Sequence, residues 1–287
     1  VRSMDVDGET RAAALRIAIA GLEEDASSND VTTASLGSSA SGRATLVALS
    51  RKGCVVAGWF CVEETFGVLG PAETCRGAAE GETVPAGGCI GKVSGRASLL
   101  LGGERVALNL LGRLCGVASL TRRFVDAVAG TGTEILDTRK TTPGFRLLER
   151  HAVRCGGGTN HRFDLSAMAL YKDNHLVLAG GPRGLREAVR DIRGRGLPVE
   201  IEAEDMDQVK EALDLGPDRI LLDNMAPVLA GECARLCLQR GVYAEASGGI
   251  CLDNVRAYAE AGVSGISIGA LTHSAPAADI SFEMELG

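Results

Sequence analysis

The second half of the chain is built on one repeating rhythm: a short apolar run, a polar loop, then an amphipathic helical stretch. "EILD" leads to "FRLLERHAV", "MALYKD" to "GLREAVRDIRGRG", and "VEIEAED" to "MDQVKEALDLG". "RILLDN" leads to "APVLAGECARLCLQRG", "VYAEASGG" to "CLDNVRAYAEAG", and "GISIGALTH" closes the series. Apolar strands that alternate with helices imply a parallel sheet, because a crossover helix is what returns the chain to start a parallel neighbour. Six or seven such units, none reading as an edge strand, fit a closed α/β barrel better than an open sheet.

Barrel logic places the chemistry at the carboxyl ends of the strands. The polar residues stand there: Arg139-Lys140, Lys172-Asp173-Asn174-His175, Glu202-Ala203-Glu204, Asp223-Asn224, Ser247-Gly248-Gly249 and Gly269-Ala270. Arg139 and Lys140 sit side by side where a strand gives way to "TTPG", which suits either a solvated surface or an anion at the mouth of a sheet. The whole chain carries a net charge of −7 and a pI near 5.3, so no general field for polyanions exists. Aromatics at 3% also leave no base-stacking surface for single-stranded nucleic acid. An anionic ligand needs a local cluster instead. Asp137 to His175 supplies one, with seven Lys/Arg against four Asp/Glu (+3) and three of the four histidines.

The first hundred residues mix α and β. "ALRIAIAGLEED" has helical spacing, while "GRATLVALS", "KGCVVAGWF" and "AGGCIGKVSG" read as short strands between glycines. From Gly103 a long helix is expected, with Val106, Leu110, Leu114, Val117, Phe124 and Val128 recurring every three or four residues. Nine cysteines show no C-x-x-C and no zinc spacing, which suits reduced thiols. The N-terminal "VRSMDVDGETR" is charged and lacks the apolar core of a signal peptide, and Arg16 breaks the apolar stretch near it. The expectation is a soluble, cytoplasmic chain with no membrane span.

Each motif has a plainer reading beside the functional one. Gly248 and Gly249 either admit a phosphate to backbone N–H groups or merely serve a tight turn. Their place at the end of the penultimate strand, paired with "SIGAL" on the last, favours phosphate. Glu200, Glu202 and Glu204 share one strand face and could hold Mg²⁺ through water or accept from sugar hydroxyls; Glu204 and Asp205 alternatively just begin the next helix. His161, after three glycines and beside Arg162, is a better ligand candidate than a lone histidine. Lys172 could form a Schiff base as in an aldolase, but several fixed cations around it suit polyanion binding better. Arg105 reads on spacing alone as a solvated residue of a first helical turn. The combined demand is for a ligand with several carboxylates or phosphates, a sugar phosphate and Mg²⁺.

"DTRKTTPGFRLLE", "RCGGGTNHR", "KDNH", "EASGGI", "GALTHSAPAADIS", "ERVALNLLGRLCG" and the N-terminal "NDVTT" resemble the signature segments of the quinolinate phosphoribosyltransferase family (decarboxylating nicotinate-nucleotide pyrophosphorylases) over nearly the whole chain. The resemblance implies an N-terminal α/β sandwich, residues 1–115 joined by the tail 276–287, and an open-sided seven-stranded α/β barrel, residues 116–275. It implies a homodimer, in some members a hexamer, with active sites completed by the partner's N-terminal domain. It also implies phosphoribosyl transfer from 5-phosphoribosyl-1-pyrophosphate to quinolinate, with Mg²⁺ and loss of CO₂, in NAD biosynthesis.

Carried onto matching positions, the resemblance implies that Arg105, Arg139, His161 and Arg162 hold the acceptor's two carboxylates, with Thr138 also binding substrate, Lys140 close to both substrates and Lys172 near the phosphoribosyl and pyrophosphate groups. Glu202 and Asp223 serve the ribose hydroxyls and Mg²⁺, and with Lys140 and Lys172 form the catalytic set. Ser247, Gly248, Gly249, Ile268, Gly269 and Ala270 cradle the 5′-phosphate. Gly112, where many members have glutamine, and Tyr171, where an aliphatic is usual, depart from the pattern. So do Asp164, Ala167 and the loop "DASSND". These departures leave room for a paralogue acting on another carboxylated heterocycle, in metal-cofactor uptake or secondary metabolism. A silent phosphate-ligand sensor is a third reading, disfavoured by the full set of charged residues.

Overall fold

The computed structural model describes residues 5–286. The first four residues of the charged N-terminal stretch lie outside them. In chain order the elements begin α1 (Gly8–Glu24), α2 (Val31–Ser35), β1 (Arg43–Ser50), β2 (Cys54–Val55), α3 (Trp59–Leu69), β3 (Ala72–Arg76), β4 (Thr83–Val84), β5 (Cys89–Arg96) and α4 (Ala97–Ala127). There follow β6 (Glu134–Leu136), α5 (Arg146–Cys155), β7 (Ala169–Tyr171), α6 (Asp173–Ala179), α7 (Arg186–Gly194), β8 (Val199–Ala203) and α8 (Met206–Leu213). The chain ends through β9 (Arg219–Asp223), α9 (Pro227–Gln239), β10 (Tyr243–Ser247), α10 (Val255–Glu260), β11 (Gly265–Ser267), α11 (Ala270–His273) and β12 (Ile280–Leu286). Two compact units result: unit 1 is Val1–Arg122, Thr141–Gly157 and Ala270–Gly287, and unit 2 is Arg123–Lys140 and Gly158–Gly269.

Unit 1 carries an antiparallel sheet in the order β12-β1-β5-β3, so the tail strand lies along β1. Its core joins Leu46, Trp59, Phe66, Ile90, Val93, Leu100 and Leu111. The stripe expected on the long helix is buried at every position from Val106 to Val128, but Ala107, Leu111, Cys115 and Ala118 are buried too. A helix apolar nearly all round belongs in an interior. It also begins six residues earlier than Gly103, at Ala97.

Gly112 has a local explanation. The tail's Ala278 N–H donates to Gly112 O at 2.8 Å, and a Cβ on Gly112 would stand 3.1 Å from Ala278 O. The segment Thr141–Gly157, which the sequence reading counts with the barrel, clusters with unit 1. Buried Glu149 anchors it there, accepting from Arg113 Nη2 at 2.7 Å and from Thr142 N at 3.1 Å.

"KGCVVAGWF" is not one strand. Only Cys54–Val55 pairs, and Trp59 opens a helix. The cause is long-range. Gly58 turns the chain at φ 93°, and the N–H groups of Gly58 and Trp59 donate to the Glu80 carboxylate at 2.8 and 3.0 Å. Glu80 is itself buried and held by His151 Nε2 at 3.0 Å. A carboxylate on two free N–H groups at a helix start supplies the cap that the local sequence lacks.

Unit 2 is a parallel sheet in the order β6-β11-β10-β9-β8-β7. Thr159 adds a single parallel bridge on the outer side of β6, giving a seventh strand position only one residue long. The two ends of the series are therefore Thr159 and β7, and Arg162 Nη1 donates to Met168 O between them at 2.9 Å. Register brings the carboxyl ends level: Asp223 pairs with Ser247, and Leu136 with Ser267. β8 is buried at all five residues, so Glu200 and Glu202 point inward while Glu204, just past the strand, is exposed. Asp205 caps α8 by accepting from Asp207 N and Gln208 N, the plainer of its two readings. Among the described residues, no helix is long and apolar enough to cross a membrane.

Replacing Glu80 by alanine removes the cap of α3 and strands His151. An unfolding free-energy loss of about 3 kcal/mol is expected from lost charge-assisted hydrogen bonds, measured as a lower urea midpoint at unchanged slope.

Candidate active site

A cavity of about 270 Å³ opens at the level strand ends of unit 2. Asp137, Thr138, Arg139 and Lys140 reach it from the loop after β6, His161 and Arg162 from the loop after Thr159, and Leu170 and Lys172 from β7 and its end. Leu221, Glu245, Ser247 and Ser267 complete the lining from β9, β10 and β11. Four cations thus converge on one space. Burial and then the facing charge of Arg139 depress the guanidinium of Arg162, so the two arginines feel each other there.

Carboxylates underlie these cations. Asp137, fully buried, accepts from Asn160 Nδ2 at 2.6 Å and from the His161 N–H at 2.7 Å, fixing the loop that carries His161. The His161 imidazole lies with Nε2 at 3.1 Å from Glu200 Oε2 and 3.3 Å from Glu245 Oε2. Burial pulls its pKa down, but the two carboxylates outweigh burial and raise it to about 9. The ring is therefore an imidazolium at neutral pH.

A second group surrounds Lys172. Its Nζ donates to Glu202 Oε2 at 3.0 Å, while the Asp173 N–H donates to Glu202 Oε1 at 3.0 Å. Asp223 is raised from the ordinary carboxylate value by burial and by the charge of Glu202, with Lys172, Ser247 and Lys140 pulling the other way. Those five residues form one electrostatic neighbourhood. The Lys172 amine is engaged in an ion pair with Glu202, which disfavours a Schiff-base role. Tyr171 meets His175 edge-on, with ring centroids 6.2 Å apart, as packing.

The glycine turn after β10 is sterically required. Gly248 and Gly249 lie at φ 93° and 60°, and Asn224, which follows β9, is itself left-handed at φ 54°. A Cβ on Gly248 would fall onto the Asn224 side chain, whereas one on Gly249 meets no atom within 4 Å. Ser247 O accepts from Asn224 N at 2.9 Å and locks the two strand ends together. Ile268 follows β11 and is buried, with its N–H on Leu136 O at 3.0 Å; Gly269 leads to Ala270 at the start of α11.

Some expected groupings are not brought together within the unit. Arg105 belongs to unit 1, where with Arg16, Glu24, Asp25 and Asn109 it lines a different cavity of about 510 Å³. The basic run is likewise divided: Arg139, Lys140, Arg162 and Lys172 line the unit 2 cavity, while Arg146, Arg150 and Arg154 lie on α5 in unit 1. Sequence reasoning passed over Asp137 and Glu245. Strand alternation could have found Glu245, since it shares a face with Ser247 one step further along β10.

Residues 117–283 match the C-terminal domain of the quinolinate phosphoribosyl transferase family, and residues 30–115 match its N-terminal domain. The chain belongs to the quinolinate phosphoribosyl transferase family. It is 38% identical over 264 residues to a probable nicotinate-nucleotide pyrophosphorylase [carboxylating] of Bacillus subtilis, covering 92% of this chain and 90% of that one. The human nicotinate-nucleotide pyrophosphorylase [carboxylating] is 41% identical over 199 residues, 68% of this chain and 67% of the human one. The solved nicotinate-nucleotide pyrophosphorylase of Francisella tularensis superposes with a TM-score of 0.91 at 30% identity, over 98% of both chains.

Gly248→Ala is expected to destabilise the protein by about 1–3 kcal/mol through forced backbone strain and the clash with Asn224. Gly249→Ala, with open space for its methyl, is expected to cost less. Paired thermal unfolding curves check the order.

Proposed function

We propose that this chain transfers the phosphoribosyl group of 5-phosphoribosyl-1-pyrophosphate to quinolinate, releasing pyrophosphate and CO₂ and giving nicotinate mononucleotide. The observation that carries the reading is the convergence of Arg139, Lys140, Arg162 and Lys172 on one cavity floored by charged His161. Quinolinate carries two adjacent carboxylates, and arginine's planar fork grips carboxylate bidentately. In this reading Arg139, His161 and Arg162 hold the acceptor with Thr138, and Lys140 stands near both substrates. Lys172 faces the donor's phosphates. The turn at Ser247-Gly248-Gly249 and the N–H groups of Ile268, Gly269 and Ala270 hold the 5′-phosphate.

The pyridine nitrogen attacks C1 of the ribose as the C1–pyrophosphate bond breaks. Positive charge gathers on the ribose ring, where Glu202 and Asp223 supply fixed negative charge, and Lys140 and Lys172 meet the departing anion. Holding nitrogen, C1 and leaving group in line removes much of the entropic barrier. The C2–carboxylate bond then breaks heterolytically. Its electron pair stays on C2 beside the newly cationic nitrogen, CO₂ departs, and a proton takes its place. The word "carboxylating" in the relatives' names reads the same equilibrium in reverse.

The Mg²⁺ implied by the family fits the donors present. Asp223 would offer a hard oxygen to the ion, and Glu202, both of whose oxygens accept from Lys172 and Asp173, would hold it less directly. When bound, the ion neutralises charge on the pyrophosphate. We also assign a homodimer in which Arg105 of the partner subunit completes the acceptor site, with hexamers as a further assembly. A cytoplasmic, reducing location fits nine free cysteines.

Arg139→Ala and Arg162→Ala are each expected to lower kcat/KM for quinolinate by roughly 10–100-fold or more, since a charge-assisted hydrogen bond is worth about 1.5–3 kcal/mol. The KM for the phosphoribosyl donor should change little. Steady-state kinetics with each substrate varied separately decides, and an unchanged quinolinate profile overturns the acceptor assignment.

A further inference from the structure

His161, Glu200, Glu245 and Arg219 form a quartet beneath the cavity that the bond-making steps do not themselves use. Nε2 of His161 lies between Glu200 Oε2 and Glu245 Oε2 at 3.1 and 3.3 Å, and Arg219 Nη1 reaches the same Glu245 oxygen at 3.3 Å. Both carboxylates are withdrawn from solvent, at 0% and 1% exposure. Arg219 is braced in turn, its guanidinium 4.3 Å from the centre of the Tyr243 ring, whose hydroxyl donates to Glu134 at 2.8 Å.

Charge counting explains the arrangement. Burial and then the charge of Glu245 raise the Glu200 carboxyl from its ordinary value, with His161 and Arg219 pulling it back down. With His161 protonated and both carboxylates ionised, two positive and two negative groups balance. With His161 neutral, one uncompensated negative charge lies buried directly under a cavity built for anions, which is costly in itself and repels the ligand. The remaining ionisable groups around the ring do not supply that balance. Asp137, at the end of β6, is committed to Asn160 and the His161 backbone. Arg162, next in the chain, and Arg139 face the cavity, as do Lys140 and Lys172. β7 and β11 contribute only Leu170 and Ser267.

We propose that Glu200 and Glu245 are positioning residues that lock His161 as a permanent cation at the cavity floor, so that recognition of the acceptor's carboxylates does not lapse as pH rises through neutrality. An ordinary histidine is largely neutral at pH 7.5 and would weaken the site there. The kinetic part of this inference rests on the acceptor reading above; the ionisation part stands without it.

Glu245→Gln keeps the shape and removes one charge. The His161 ring is titrated by NMR in ligand-free protein, wild type and variant, and the KM for each substrate is followed across the same pH range. In the wild type His161 stays charged beyond pH ~8, well above the ordinary value of about 6.5. In Glu245→Gln its midpoint falls by at least about one pH unit, and the quinolinate KM rises about tenfold across neutrality, as a lost charge-assisted contact requires. The donor KM stays level, and Glu245→Asp restores the wild-type profile. A wild-type midpoint near the ordinary value, or a variant that keeps the wild-type pH profile, overturns the proposal. Glu200→Gln carries the same test where Glu245→Gln does not fold. Quinolinate turnover by the wild type is read separately, so a failed acceptor assignment shows as absent turnover with the titration intact.

Discussion

Buried negative charge governs the architecture of unit 2. Asp137, Glu200, Glu202 and Glu245 all lie in or at the end of interior strands with almost no exposure. An ionised carboxylate in that setting persists only when paired and hydrogen-bonded. Asp137 takes Asn160 and the His161 N–H, Glu200 and Glu245 share His161, Glu245 alone also meets Arg219, and Glu202 takes Lys172 and the Asp173 N–H. Each partner is a residue or backbone group of the site or its support. The carboxylates thus orient the cations, and the cations make burial of the carboxylates tolerable. An anion entering the cavity meets positive groups already aimed, with little reorganisation left to make.

This constraint explains why the strand ends, rather than a charged surface, carry the site. Parallel strands in matched register finish at the same level, so side chains from the ends of five strands and from the loop after the Thr159 bridge meet over about 270 Å³. The left-handed pair Asn224 and Gly248 then bends two neighbouring loops against each other, and the Gly248-Gly249 turn is where the proposed reading seats the 5′-phosphate. In the proposed reading the two chemical halves have separate support, His161 resting on Glu200, Glu245 and Asp137 and Lys172 on Glu202.

Much of this was legible in the sequence. The strand–loop–helix rhythm after Gly132 located every parallel strand, because strands buried on both faces read as continuous apolar runs, although "GISIGALTH" is strand only over Gly265–Ser267 and the helix Asp173–Ala179 was passed over. Arg139, Lys140, Lys172 and Ser247 line the cavity, as their strand-end positions suggested; so do His161 and Arg162 from the glycine-rich bend, and Thr138, expected from the resemblance alone. What escaped notice depends on partners far away in the chain. Glu80 caps α3 from 21 residues off, which no local pattern at Trp59 reveals. Glu245 reads as one polar residue inside a strand until His161, 84 residues earlier by its numbering, is seen against it. The basic run from Asp137 to His175 looked like one cluster because sequence adjacency hides the division of Arg146, Arg150 and Arg154 into unit 1.

The most direct test of the account supplies the protein with 5-phosphoribosyl-1-pyrophosphate and Mg²⁺ and offers quinolinate and nicotinate in separate reactions. Nicotinate mononucleotide and CO₂ are measured together. The account predicts product from quinolinate alone, with one CO₂ per nucleotide, because the cation set is matched to two carboxylates. Equal turnover of nicotinate, or product from quinolinate without CO₂, would contradict it.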